Sequence, residues 1–89
     1  MTREDILNIA KECVCQSREE DYGAPENNFA LIADLWNAYL GFNEIRDIDV
    51  AMMMSLLKIA RIRTGNKHKA DSFIDLAGYA ACAGEIGGK

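Results

Sequence analysis

The stretch Asp47–Arg63, DIDVAMMMSLLKIARIR, constrains the fold of this chain more than any other. From Val50 to Ala60 it is apolar except at Ser55 and Lys58. At roughly 3.6 residues per turn those side chains cover nearly the whole circumference of a helix. Such a helix is expected at the centre of an all-α protein, packed on several sides. Near its end Lys58 and Arg61 stand one turn apart, and just downstream Asp71 and Asp75 stand one turn apart.

Three further helices are legible around it. Thr2 with Glu4 and Asp5 forms a helix start, because a hydroxyl can cap the free N–H groups and acids suit the positive end of the dipole. The stripe Ile6, Ile9, Ala10, Cys13 then predicts a helix over about 3–16. Gly23 and Pro25 break the pattern, and Pro25 suits the first position of a second helix, Pro25–Leu40. On it Phe29, Ile32, Leu35, Trp36, Tyr39 and Leu40 share a side expected in the core, with Asn37 among the polar residues opposite. Gly41 is placed to end that helix, and Asp47 or Asp49 to cap the next. Met52, Met53 and Met54 point in three directions, so core filling is their expected role. A fourth helix over about 71–85 aligns Asp71, Asp75, Tyr79 and Cys82. Its small residues from Ala77 to Gly84 predict the close approach of another helix. The reading is one domain, 1–89, an all-α four-helix bundle. A chain this short buries a modest core, so completion by homo-oligomerisation is expected, through the small-residue face of the last helix or the Phe29–Trp36 side of the second.

Composition narrows the function. Nearly half the residues are hydrophobic and 27% are charged, as in folded proteins. A net charge of −4 without a basic run argues against a nucleic-acid backbone as partner. No apolar run approaches the roughly 20 residues that span a bilayer, and the polar N-terminus does not read as a signal peptide, which points to the cytoplasm. Cys13, Cys15 and Cys82 offer no zinc set with a single histidine and are expected as buried, reduced thiols.

The candidate functional residues carry two readings each. Tyr22, in the charged loop QSREEDYGAP, is either surface or a ring that stacks on a ligand. Asn28 lies within the apolar side of its helix, where an amide needs a backbone partner or a cleft. Lys58 and Arg61 either lay their stems over the core or meet acids or phosphate. Asp71 and Asp75 lie one above the other, and their like charges ask for something positive nearby. Asp71 can sit at the N-cap while Asp75 pairs with Lys58 or Arg61. Alternatively the two hold magnesium, which takes oxygen ligands and can polarise a phosphoryl group.

Residues Asp21-Tyr22-Gly23 with Pro25, Asn28-Phe29, Leu35-Trp36 with Tyr39-Leu40, Asp49-Val50-Ala51, Leu56-Leu57-Lys58 with Arg61, and Asp71-Ser72 with Asp75 and Ala77-Gly78-Tyr79-Ala80 resemble a family of short phage and prophage proteins of undefined function over about 3–86. More distantly, the four-helix layout is similar to the MazG-type nucleoside triphosphate pyrophosphohydrolases. Those enzymes use magnesium held by E-x-x-E on one helix and E-x-x-D on a later one. Asp75 stands at the Asp of the second motif and Asp71 one residue before its Glu, where Ser72 stands instead; no helix here contains E-x-x-E. The resemblance implies a nucleotide-handling protein. In active form it would hydrolyse a nucleoside triphosphate to the monophosphate and pyrophosphate. Asp71 and Asp75 would hold the metal, Lys58 and Arg61 would neutralise phosphate, and Asn28 and Tyr22 would contact the nucleotide. The other readings are a non-catalytic phage accessory module that binds a nucleotide or host protein, and a structural bundle with internal ion pairs.

Overall fold

A computed structural model describes residues 1–16, 20–21, 23–65 and 69–88, and the backbone of residue 17. The chain folds as an all-α bundle: α1 (Arg3–Glu12), α2 (Pro25–Leu40), α3 (Asp47–Thr64) and α4 (Asp71–Gly87). A π-helical turn, Cys13–Ser17, extends α1. Among the described residues there is no strand. α3 and α4 make the most extensive contact, α2 packs mainly on α3, and α1 lies along α4.

The helix ends follow local chemistry. At α1 the Thr2 backbone N–H donates to Asp5 Oδ2 (3.0 Å) and the Asp5 N–H donates to Thr2 Oγ1 (3.1 Å), a reciprocal capping box. Pro25 opens α2, where its missing N–H costs nothing. Gly41 closes it with φ 77°, a left-handed conformation that glycine adopts without strain. Both acids at the start of α3 accept from backbone: Asp49 from the Arg46 N–H (2.9 Å) and Asp47 from the Ile48 N–H (2.7 Å). Asn37, expected on the polar side of α2, instead clamps the α2–α3 connection. Its Nδ2 donates to the Ile45 carbonyl at 2.8 Å and its Oδ1 accepts from the Ile45 N–H at 2.9 Å.

The core is small. Phe29, Ala33, Val50, Ala51, Cys82 and Ala83 form its buried centre, with Val14, Ile32, Trp36, Ile45, Ile48, Met54, Tyr79 and Ile86 packed around it. Several side chains expected inside are exposed: Tyr39 at 89%, and also Leu35, Leu40, Met52 and Met53. The buried side of α2 runs Pro25, Phe29, Ala33, so the stripe Leu31, Leu35, Tyr39 is carried outward. The Phe29 end of the side expected at an interface is thereby used inside the chain. Cys13 and Cys15 are exposed and Cys82 is buried, so only the last matches the expected buried thiol.

The small residues of α4 act at one end of their stretch. A Cβ added to Gly78 would stand 2.7 Å from Val14 Cγ1, so the turn after α1 lies directly on that glycine, whereas nothing comes within 4 Å at Gly84. Gly78→Ala is therefore expected to destabilise the fold by about 1–3 kcal/mol, because valine is stiff at χ1 and cannot swing aside. Gly84→Ala is expected to stabilise it by up to about 1 kcal/mol through helix propensity. Urea unfolding of the two variants measures the contrast, and equal effects would refute the close packing at Gly78.

The capping box sets a pH dependence. The Thr2 backbone N–H, and then its hydroxyl, hold the Asp5 carboxyl below its ordinary 3.8. A folded pKa below the unfolded one means that the cap contributes in full above the unfolded value and is lost as pH falls through the folded one. In a carbon-detected NMR titration Asp5 is expected to protonate below 3.8, with fraying at Thr2–Ile6 following the same curve.

Candidate functional site

The helix faces decide which charges meet. On α3 the inward line is Ala51, Ser55, Lys58 and Ile62, at helical spacing: Ala51 and Ser55 are buried, Lys58 and Ile62 half-buried. The Ser55 hydroxyl donates to the Ala51 carbonyl at 2.9 Å, so its burial leaves no unmet polar atom. Lys58 thus lies on the packed side of the helix, whereas Leu57 and Arg61 are exposed, although Val50 and Met54 on the earlier turns of their line meet the core.

Opposite Lys58 stands α4 with Asp75, Tyr79 and Cys82 on one stripe. Lys58 Nζ donates to Asp75 Oδ2 at 3.0 Å. One turn on, the Tyr79 ring lies 6.2 Å from Phe29 of α2 at 36°, and Cys82 enters the buried core. The stripe therefore passes from an ion pair through an aromatic contact into aliphatic packing. The Lys58 side chain is 14% exposed and that of Asp75 45%. Most of the Lys58 side chain is buried, while the Asp75 carboxylate keeps much of its water. A pair so placed contributes modest net stability, and losing one partner leaves the other charge without a counter-ion.

The remaining predicted residues lie apart from this pair. Arg61 is exposed. Asp71 is exposed as the first residue of α4, with Ala70 and not Asp71 in the N-cap position. Asn28 is half-buried beside Phe29 on α2. Tyr22 lies outside the described residues, as do Glu19 and His68. Among the described residues no group of three or more His, Cys, Asp or Glu side chains is placed to hold a metal ion.

Among the described residues, two open clefts lie elsewhere. One of about 190 Å³ between α1 and α4 is lined by Leu7, Ala10, Val14, Ala77, Gly78 and Ala81 among others, and one of about 100 Å³ lies between Val14, Pro25 and Cys82. Neither touches Lys58, Asp71 or Asp75, and the first is almost wholly apolar. The Asn37 clamp was not visible in the sequence, since its partner is backbone. No helix among the described residues is long and apolar enough to cross a membrane.

The comparisons agree on one family. A family model described as "Domain of unknown function (DUF6378)" matches residues 5–87. The "Gene 55 protein" of Mycobacterium phage D29 is 47% identical over 83 residues, covering 93% of this chain and 54% of that protein. The "Gene 55 protein" of Mycobacterium phage L5 is 45% identical over 75 residues, covering 84% of this chain and 47% of that protein. The chain thus spans about half the length of the curated relatives it matches. No solved structure matches it.

The ion pair makes a direct prediction. Asp75→Asn is expected to lower stability by about 1–2 kcal/mol with no ligand present, because it removes the counter-charge of the largely buried Lys58 side chain. Arg61→Ala, on the exposed side, is expected to stay within about 0.5 kcal/mol. Chemical denaturation of both variants checks this, and an unchanged Asp75→Asn would contradict the clamp.

Proposed function

The chain belongs to the DUF6378 family, and we propose that it works as a phage accessory module that binds a protein partner without catalysing a reaction. The observation that carries this reading is the direct Lys58–Asp75 contact. It spends the cation and the carboxylate best placed for phosphate chemistry on each other, as an internal ion pair between helices. The exposed apolar stripe Leu31, Leu35, Tyr39 on α2 supports a role in binding proteins.

A second reading keeps the nucleotide chemistry of the MazG-type enzymes. It is favoured by one observation: Asp75 is half-exposed, and Asp71, one turn before it on α4, is exposed, so both carboxylates reach solvent from the same side. In that reading they would be the protein's contribution to the oxygen shell of a magnesium ion, which commonly needs one or two carboxylates beside substrate phosphates. Arg61, with Lys58 released from its pair, would neutralise the phosphates, and Asn28 and Tyr22 would contact the nucleotide.

Incubation with a panel of nucleoside triphosphates and magnesium separates the two. The accessory reading expects neither released pyrophosphate nor a nucleotide-dependent rise in melting temperature. Product formation that Asp75→Ala abolishes would establish the enzyme and end the accessory reading. Stabilisation by nucleotide without product would make the chain a nucleotide binder and end the protein-partner assignment.

A further inference from the structure

The inward line of α3 has an outward counterpart. Met52, Leu56 and Ile59 follow one another at spacings of four and three and are 52%, 64% and 42% exposed. Asp49 lies three residues before Met52 and Arg63 four residues after Ile59, completing the positions 49, 52, 56, 59 and 63. This three–four alternation is the spacing found in the seam of a two-helix coiled coil, and the exposed Met53 and Leu57 widen it on one flank. We propose that this seam is the interface of a homodimer, in which α3 of one copy packs antiparallel on α3 of the second about a two-fold axis at Leu56.

The accessible surface supports a second copy as the occupant. A monomeric protein of this mass exposes about 5,200 Å². This chain exposes 6352 Å². The excess, roughly 1,100 Å², exceeds the ~800 Å² that one partner contributes to an interface of standard size. The radius of gyration is 13.7 Å. A compact domain of this length has one near 12 Å, so the surplus area belongs to an extended shape with uncovered helix faces.

Charge selects the orientation. Asp49 and Arg63 stand seven residues on either side of Leu56, about 10 Å along the helix in each direction. Antiparallel packing sets each Asp49 opposite the partner copy's arginine at both ends. Parallel packing sets acid on acid and base on base. An isologous contact needs a patch that is its own complement, and this seam is one. Asp49 Oδ2 already accepts from the Arg46 N–H, which holds the carboxylate at the helix start where the partner's guanidinium would arrive. The dimer does not depend on whether the chain turns over nucleotide.

Sedimentation equilibrium of the intact chain is expected to give a dimer, and Leu56→Asp is expected to raise its dissociation constant at least a hundredfold with helicity retained. Position 56 is exposed within the chain, so the fold tolerates the change; Met52→Glu is a second variant with the same expected result should Leu56→Asp fail to fold. With Cys13 and Cys15 replaced by Ser, Leu56→Cys is expected to oxidise to a covalent dimer, whereas Met52→Cys stays monomeric under the same oxidation. A wild-type monomer, or a dimer indifferent to both seam variants, overturns the proposal. Equal cross-linking at positions 52 and 56 overturns the antiparallel arrangement.

Discussion

A lysine on the packed side of a helix cannot be closed into a bundle until its charge is met. Lys58 occupies that position on α3, and Asp75 is the group that meets it. The contact joins one atom on each helix and agrees with the rotation and register at which α3 packs on α4. Once Asp75 faces Lys58, the helical period carries Tyr79 toward Phe29 and Cys82 into the centre. The aliphatic contacts supply most of the attraction; the pair makes one alignment of them much better than its neighbours.

The helix boundaries were legible where the chain carries explicit stop and start chemistry. Pro25 and Gly41 bracket α2 at the residues expected, and α3 starts at Asp47 as expected, although Arg46 and neither acid holds its N-cap position. The end of α1 carries no such signal. Its α geometry stops at Glu12 and gives way to the wider turn Cys13–Ser17, which sets Val14 against Gly78 and leaves both cysteines exposed. Gly78 and Gly84 look alike in sequence, and only the path of a distant segment distinguishes them.

Helix faces were harder to read than helix extents, for a physical reason. A periodicity argument assigns the core side by contrast with a polar side, and α2 and α3 offer little contrast. On α3 the packed side takes in Ser55 and Lys58, the two polar residues of the apolar run, beside the buried Val50 and Ala51. Ser55 satisfies itself on the backbone and Lys58 finds a partner on another helix; neither solution leaves a mark in hydropathy. The pairing of Lys58 with Asp75 was nonetheless one of the open readings, because two cations and two acids, each a turn apart on adjacent helices, allow few combinations. The exposure of Asp71 and Arg61 depends on where each helix begins and ends, which spacing alone does not give.

The same lack of contrast has an energetic consequence. Phe29 and Val50 are the large side chains with essentially no exposure, and much of the remaining core is alanine. At about 25 cal/mol per Å² of apolar surface removed from water, a core of that size leaves a narrow margin over chain entropy. In the proposed dimer the outward line of α3, exposed in the single chain, would add to that buried surface. Association then draws on the same hydrophobic surface as folding. Anything that binds the folded chain and not the unfolded one stabilises it by mass action, so in the proposed dimer the stability of the bundle would be a function of its concentration. In that sense the apolar run of α3 is central: one of its lines closes the chain on itself through Lys58 and Asp75, and the other is the seam of the proposed dimer.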